Sequence, residues 1–414
     1  MQDRGLNAEL APATDPVRRS RKLRLAFLSA VVSLVASYIA AAAPIPLFNT
    51  YRAEDGFTNA GISLTVVIYS LGTVMALLVL GRLSNHAGRR PIALATLGVL
   101  VLGCLLLLSV HHIGTLLAGR LLIGVGVGLA SSNLTAYVVD AAPSRPVWLA
   151  SVAASQSPQL GLTLGAIGSG ALVQFGPWPR DLTYLVAIGL LLSSAALISF
   201  SSETASSTPG LWRSLRPRVH VPVRARHLIP AAAAVFVATW STGAFYQGLV
   251  PALVADQLGT RSPLILGLVF SAFMATSVLG APIGGRFTSA AAQRLGMIMF
   301  VAGLIGAATA TATGTLALFV GASVVAGVGQ GIAISAAIRG LLYGSILADR
   351  APIFATVYLI NYGAAAILSL ISGELSNVFA VPHIAFGYAG LAVVATLVTV
   401  LAARNPYPAA EPSR

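Results

Sequence analysis

Long apolar runs alternate along the chain with short polar segments that carry glycine and arginine. A helix needs about 20 mostly apolar residues to cross a bilayer, because no water is present there to satisfy the backbone. Twelve runs approach that length, at 25–48, 60–80, 92–110, 115–138, 148–173, 182–200, 228–250, 263–284, 295–313, 316–340, 353–378 and 383–403. Strand-like alternation at intervals of roughly ten residues, which marks a membrane barrel, is absent. The pattern predicts an all-α membrane protein with 12 transmembrane helices.

The composition supports a membrane protein. Of the 414 residues, 56% are hydrophobic and 9% are charged, whereas ordinary soluble proteins carry roughly 25% charged residues. The single cysteine, Cys104, excludes a disulfide framework. Small residues at Ala40–Ala43 leave a cleaved signal peptide as an alternative for the first run. We favour a membrane span, because the run is longer than the roughly 7–15 apolar residues of a signal peptide.

The basic residues are unevenly distributed between alternate connecting segments. With both termini placed in the cytoplasm, 21 of the 25 Lys and Arg residues fall in cytoplasmic segments and three, Arg52, Arg180 and Arg261, fall in outer loops. The remaining one, Arg120, lies inside a predicted span. This asymmetry follows the positive-inside rule. It predicts cytoplasmic termini, and it accounts for the net charge of +13 without a nucleic acid partner.

Two halves of the chain share short motifs at a nearly constant offset. GRLSNHAGRR at 81 is echoed by GRFTSAAAQR at 285, and GVGVGLASS at 124 by GVGQGIAIS at 327. The repeat predicts two pseudo-symmetric six-helix bundles, 25–200 and 228–403, joined by a cytoplasmic linker at 201–227 and flanked by tails at 1–24 and 404–414. Secondary transporters often use such repeats, with the substrate bound near the midplane between them.

The loop after the second run has a distinctive order of glycines and charges. It reads Gly81-Arg82-Leu83-Ser84-Asn85-His86-Ala87-Gly88-Arg89-Arg90, and it is followed in the fourth run by Arg120, Gly124 and Gly126, and then by Asp140, Pro143 and Arg145. These residues resemble the major facilitator superfamily, whose loop reads G-x-L-x-D-R-x-G-R-R/K, and the resemblance covers essentially the whole chain. It implies a cytoplasmic gate loop comprising Gly81, Asn85, Gly88, Arg89, Arg90 and Asp140.

Asn85 replaces the acid of the family loop, which implies a weaker latch between the halves, because the amide keeps a hydrogen-bonding oxygen but no charge. Asp140 is a possible substitute partner for Arg89 or Arg90. We expect Asn85→Asp to shift the protein toward the outward-facing state. Unchanged cysteine accessibility on both faces would contradict this expectation.

The resemblance also implies a function. Gly161, Gly165, Gly168 and Gly170 in the fifth run are similar to the glycine run of antiporter members. We expect a bacterial inner-membrane transporter, acting as a monomer, that exports small amphipathic molecules in exchange for protons and uses no cofactor. The alternatives are an uptake porter for a sugar, amino acid or organic acid, and a non-transporting receptor or scaffold. We do not expect an enzyme or a metal site, because the sequence lacks a nucleophile–base set, a metal cluster and a phosphate loop.

Ionisable residues inside predicted spans are functional candidates, because burying charge in a bilayer is costly. Arg120 has either a transport role, in substrate binding or proton coupling, or a structural role between helices. Glu374 near the end of the eleventh run is either a second coupling candidate or an interfacial carboxylate.

Further polar and aromatic residues fall on helices that the resemblance places around the substrate cavity. They are Tyr38, Tyr69, Asn133, Gln156, Gln159, Trp240, Tyr246, Gln247, Gln330, Tyr358, Asn361 and Tyr362. Each of them alone could line the cavity or pack between helices. Together, aromatic rings and amides with little charge predict a pocket for amphipathic or neutral solutes.

Overall fold

The computed structural model describes residues 16–143, 145–146, 148–205, 209, 215 and 221–406. Twelve long helices occupy most of this part of the chain. They are α1 (Pro16–Ala42), α2 (Asn59–Met75), α3 (Arg89–Leu107), α4 (Ile113–Leu129), α5 (Trp148–Phe175), α6 (Leu182–Phe200), α7 (Ile229–Gly248), α8 (Pro263–Thr276), α9 (Ser289–Thr313), α10 (Leu316–Leu342), α11 (Leu347–Leu375) and α12 (Val381–Ala402). Parts of the expected linker and of both expected tails lie outside the described residues.

Several of these helices continue through irregular turns. α1 is followed by a 3-10 turn, Ile45–Leu47, which accommodates Pro44 and Pro46, and then by the short helix Phe48–Glu54. α7 is followed after one residue, Leu249, by the short helix Val250–Gln257. Two helices in the first part of the chain pass into π-helical turns, α2 at Ala76–Leu80 and α4 at Ala130–Leu134.

Eleven helical segments of the described chain are long and apolar enough to cross a membrane. The segment that does not qualify is α5, although its 28 residues would extend about 42 Å at 1.5 Å per residue. Its polar residues, including Gln156 and Gln159, and its many glycines and serines lower its hydropathy. The molecule is therefore an all-helical, multi-pass membrane protein.

The packing of α1–α6 is repeated by α7–α12. In the first half, α1 packs on α5 and α6, α4 packs on α2 and α3, and α3 packs on α6. The corresponding pairs pack in the second half: α7 on α11 and α12, α10 on α8 and α9, and α9 on α12. Between the halves, α2 packs on α11 and α5 packs on α8, which are again equivalent pairs. The motif repeat thus corresponds to a repeat of helix packing.

The end of the molecule where α1 begins is here called the terminal face, and the opposite end the far face. At the terminal face, the end of α6 lies beside the start of α3, where Arg90 hydrogen-bonds the carbonyl of Ser199. In the second half, Arg294 near the start of α9 donates to the carbonyl of Ala403, just after α12, at 2.9 Å. At the far face, the short helices that follow α1 and α7 meet, and Asn49 Nδ2 donates to the carbonyl of Pro251 at 2.8 Å.

Close contacts between helices explain the motif glycines of α4 and α10. A Cβ atom on Gly124 would lie 2.3 Å from the carbonyl oxygen of Tyr69 in α2, and one on Gly331 would lie 2.1 Å from that of Ser277, which follows α8. Small residues allow this approach, which favours helix association where no hydrophobic driving force acts between helices. These two glycines are required by packing.

Candidate substrate site and gates

Arg120 on α4 is completely buried where α4 meets α1, α2 and α7. Its Nη1 donates to the carbonyl of Ala41 at 2.9 Å, and its Nη2 donates to Gln247 Oε1 at 3.4 Å. Its guanidinium carbon lies 4.4 Å from the centre of the Tyr69 ring, within the range of a cation–π contact. Because Gln247 belongs to α7, Arg120 links the two halves of the molecule.

Aromatic and amide side chains contact one another where α7 packs on α11. The Trp240 and Tyr362 rings meet edge to face with centroids 4.8 Å apart. With the Asn361 amide oriented so that its oxygen faces the indole, it accepts a hydrogen bond from Trp240 Nε1 at 3.0 Å. The Tyr362 hydroxyl is within electrostatic range of the hydroxyls of Tyr38, Tyr69 and Tyr358.

The structure thus groups eight predicted site residues between α1, α2 and α4 on one side and α7 and α11 on the other. This set is here called the central cluster. It consists of Tyr38, Tyr69, Arg120, Trp240, Gln247, Tyr358, Asn361 and Tyr362. One cation, several aromatic rings and two amides are suited to holding an apolar body that carries a polar group.

The structure places Tyr246 and Gln330 inside the second half. The Tyr246 hydroxyl hydrogen-bonds Ser323 at 2.6 Å, and its ring stacks on Phe273 with centroids 4.2 Å apart. Gln330 donates to the carbonyl of Phe273 at 3.4 Å. Both side chains therefore connect helices of one half and do not join the central cluster.

Three other predicted site residues also lie apart from these contacts. Asn133 donates to the carbonyl of Arg89 at 3.1 Å, which places it at the gate loop. Gln156 contacts Ser155 of its own helix at 3.2 Å. The side-chain oxygens of Gln156 and Gln159 are buried and have no hydrogen-bond partner among the described residues.

Glu374, the second coupling candidate, lies in the last turn of α11 at the far face. Its side chain is exposed, and Oε2 accepts from Asn377 Nδ2 at 3.3 Å. This exposed position favours the alternative in which Glu374 is an interfacial carboxylate.

Arg89 is the centre of the predicted gate loop. Its Nε forms an ion pair with Asp140 Oδ2 at 2.8 Å, and its Nη1 donates to Ser84 Oγ at 2.6 Å and Asn85 Oδ1 at 2.8 Å. Of the two arginines considered for Asp140, the structure selects Arg89. Asn85 accepts from the same guanidinium, so the residue in the position of the family acid contributes to this network.

Glu203, just after α6, contacts the predicted gate loop, and sequence reasoning missed it. Its carboxylate accepts hydrogen bonds from the backbone N–H groups of Arg89 at 2.8 Å and Arg90 at 3.0 Å, at the start of α3, and from those of Thr204 and Ala205. A carboxylate in this position satisfies free N–H groups and the helix dipole. Gly88, at a φ of 94°, leaves the room that Glu203 requires, because a Cβ there would lie 2.7 Å from Glu203 Oε2.

We expect Glu203→Gln to reduce the pH dependence of stability. Partial burial raises the pKa of Glu203, but the four backbone hydrogen bonds outweigh it and hold the pKa below its ordinary value of 4.5. The charged group therefore stabilises the fold above pH 4.5, and this contribution is lost as the pH falls through the lower folded-state pKa.

Thermal unfolding in detergent between pH 3 and 7 measures this effect. The wild type should lose up to about 1 kcal/mol more than Glu203→Gln on acidification, because solvent screens part of the usual contribution of a helix cap at this exposed carboxylate. Glu374→Gln removes an exposed carboxylate and should behave as the wild type. Equal acid sensitivity of the wild type and Glu203→Gln would contradict the assignment.

At the far face, charged residues join the two halves. Arg52 Nη2 forms an ion pair with Asp256 Oδ2 at 3.0 Å, next to the hydrogen bond between Asn49 and Pro251. Arg180 holds the segment after α1 through ion pairs with Glu54 at 2.9 Å and Asp55 at 2.7 Å. The Arg52–Asp256 pair links the two halves at the far face, whereas the ion pairs of Arg180 lie within the first half.

Reversing one charge of the Arg52–Asp256 pair should open the far face. Exposed ion pairs contribute up to about 1 kcal/mol, so Arg52→Asp should shift the equilibrium roughly fivefold and the double variant Arg52→Asp/Asp256→Arg should restore it. Labelling of a cysteine at Ser63, which is buried in α2, by a membrane-impermeant reagent in a Cys104→Ala background measures the shift. Arg261→Asp is a matched control on the same face, and equal labelling of all variants would exclude a latch at this pair.

A surface cavity of about 400 Å³ between α11 and α12 is separate from the central cluster. Its lining is apolar except for Ser372, His383 and Tyr388, and it includes none of the predicted site residues. Among the described residues, no group of three His, Cys, Asp or Glu side chains could hold a metal ion.

Comparison with known proteins identifies the family with which this sequence and architecture agree. The sequence profile of the Major Facilitator Superfamily matches residues 25–337. The Multidrug transporter MdfA of Yersinia pestis bv. Antiqua is 25% identical over 313 residues, covering 74% of this chain and 75% of that protein. The Probable glucose transporter rco-3 of Neurospora crassa is 29% identical over 161 residues, covering 37% of this chain and only 26% of that protein.

A solved structure gives independent support for the fold. The crystal structure of a POT family transporter in complex with 5-aminolevulinic acid superposes with a TM-score of 0.74 at 13% identity, covering 92% of this chain and 96% of that chain. At this identity the likeness concerns the fold alone. The profile match over most of the chain shows that this protein is a membrane transporter that belongs to the Major Facilitator Superfamily.

Proposed function

We propose that this protein is a secondary transporter that exports small amphipathic molecules in exchange for protons. It works by alternating access between two six-helix bundles, residues 25–200 and 228–403, with α5 as the twelfth span. The linker, the termini and the terminal face lie in the cytoplasm, as the distribution of arginines favours. The protein acts as a monomer in the inner membrane and needs only an ion gradient.

The observation that carries this proposal is the composition and position of the central cluster. Aromatic rings, two amides and one buried cation meet between the halves, at the place where transporters of this architecture bind their substrates. The contacts across the far face suggest that the cluster is reached from the terminal face in this conformation. Opening of the far face would then release the bound molecule to the outside.

The direction of transport rests on similarity. Relatives that match over most of their length are named as multidrug transporters, which favours export. Uptake of one hydrophilic metabolite is the alternative, because shorter matches are named as glucose and myo-inositol transporters.

Transport by the purified protein in liposomes tests both alternatives. Anionic, neutral and cationic fluorescent aromatic dyes, glucose and myo-inositol would each be assayed with and without an imposed pH gradient. The proposal expects movement of one or more dyes against their gradient, coupled to proton movement in the opposite direction. Transport of glucose or myo-inositol alone would replace it with the uptake alternative.

Coupling can be examined with the same liposomes. Proton movement without dye, and dye movement that is not accompanied by protons in the opposite direction, would each exclude obligatory exchange. Because Glu374 is exposed, we expect Glu374→Gln to keep proton-coupled transport. Loss of proton coupling in that variant would instead assign the coupling role to Glu374.

A further inference from the structure

The positive charge of Arg120 has no carboxylate partner in the described part of the chain. Five of the eight described carboxylates, those of Glu54, Asp55, Asp140, Asp256 and Asp349, form ion pairs with other arginines. Glu203 binds the start of α3, Glu374 is exposed beside Asn377, and Asp181 lies at the start of α6 on the far face. The described chain therefore buries a guanidinium without an ion-pair partner.

The hydrogen bonds of this guanidinium are incomplete as well. Nε is buried and has no partner among the described residues. Within the described part of the chain, Nη2 has only the contact with Gln247 at 3.4 Å, which is long for a hydrogen bond. Nε and one terminal nitrogen of an arginine form the edge that binds a carboxylate through two parallel hydrogen bonds.

The neighbours of Arg120 offset only part of the cost of its burial. Removing a charge from water costs several kcal/mol. The hydrogen bond to the Ala41 carbonyl and the cation–π contact with Tyr69 offset a part of this cost. A carboxylate would supply both the missing charge and the missing acceptors. The rings of Tyr69, Tyr362 and Trp240 would contact the apolar body attached to it.

We propose that the substrate carries a single carboxylate on an aromatic or other apolar body, and that this carboxylate binds Arg120 in place of Gln247. The proposal rests on the proposed function and specifies its substrate class as amphipathic monoanions. One charge is expected, because Arg120 is the one cation of the central cluster. Lipophilic cations would meet a like charge there.

Binding of three matched probes to the purified protein in detergent tests this inference. They are 2-naphthoate, its neutral amide and 2-(aminomethyl)naphthalene, which share one ring system and differ in charge. Hydrogen bonds to a charged group contribute about 1.5–3 kcal/mol, so naphthoate should bind roughly ten- to a hundredfold more tightly than the amide. The amine should bind most weakly.

Gln247→Glu provides a second measurement that leaves Arg120 in place. The new carboxylate should pair with Arg120 and keep the fold stable, while naphthoate binding falls at least roughly tenfold and amide binding changes little. Gln174→Glu makes the same chemical change at an exposed far-face position, where the side-chain oxygen already accepts from Ser262. It should bind naphthoate as the wild type does.

Equal binding of naphthoate and its amide, preference for the amine, or unchanged naphthoate binding in Gln247→Glu would overturn the inference. These outcomes differ from failure of the proposed function. Cationic dyes that are transported in exchange for protons, with naphthoate bound no more tightly than its amide, would uphold export and refute the anion site. Absence of any dye transport, with naphthoate still bound at Arg120, would refute export and uphold the site.

Discussion

Arg120→Ala is expected to reduce transport roughly 10- to 100-fold, because the variant loses the charged hydrogen bonds that join α4 to α1 and α7. The loss should also leave the Ala41 carbonyl and Gln247 without a charged donor. Initial transport rates in liposomes, over a range of substrate concentrations, measure the effect. Arg120→Lys keeps the charge without the planar donor group and should recover only part of the activity.

Arg339→Ala is the matched control for this experiment. Arg339 on α10 also donates to backbone carbonyls, those of Gly284 and Phe287, but both lie within the second half. Its loss should lower stability with little effect on the apparent affinity for substrate. If Arg120→Ala transports at the wild-type rate, transport does not depend on the guanidinium and the central cluster does not bind the substrate through it.

Gly331→Val is expected to prevent formation of a stable fold. Its Cβ would lie 2.1 Å from the Ser277 carbonyl oxygen and 2.9 Å from the Ser277 Cα, so backbone atoms would have to move. Overpacking of this kind costs about 1–3 kcal/mol or more. The yield of monodisperse protein and its melting temperature in detergent measure the loss.

The same substitution on the same helix gives a control. Gly321 of α10 is exposed, and a Cβ there would meet no atom within 4 Å. Gly321→Val should therefore fold and transport as the wild type does. Similar losses of yield and melting temperature in both variants would show that valine is poorly tolerated throughout α10. Such a result would contradict an explanation by the close contact between Gly331 and Ser277.

Most of the helices could be predicted because a bilayer imposes a simple length requirement on apolar segments. The repeat was also visible, since GVGVG and GVGQG mark equivalent helix contacts in α4 and α10. The exception is α5, where amides and small residues weaken the apolar signal although the segment is helical. A span that contributes polar groups or closely packed small residues is harder to recognise from hydropathy.

The candidate site was predicted less completely than the fold. Arg120 stood out because a charge within an apolar run is rare, and the structure surrounds it with Tyr69 and Gln247. Tyr246 is a tyrosine within a membrane helix, as Tyr69 is. Its side chain nevertheless contacts Ser323 and Phe273 within the second half. Hydropathy does not distinguish a residue facing the interface between halves from one facing the interior of a half.

The predicted gate loop shows that sequence reasoning also misses contacts between residues that are far apart in the chain. Arg89 and Asp140 were recognised from their motifs, but Glu203 lies more than a hundred residues after Arg89 and belongs to no recognised motif. Its importance depends on the end of α6 lying beside the start of α3, where unpaired backbone N–H groups attract a carboxylate. Such a pairing is a property of the assembled helices.

The sequence was sufficient to establish a multi-pass helical membrane protein with an internal repeat, and to identify the rare buried charge as a functional candidate. These properties follow from the lipid bilayer, because it requires long apolar helices and makes the burial of an isolated arginine unfavourable in free energy. The tertiary structure decided which polar residues share one interface, which arginine pairs with Asp140 and which carboxylate occupies the start of α3. Those outcomes depend on distances between helices that are far apart in the chain, and only the packed structure determines them.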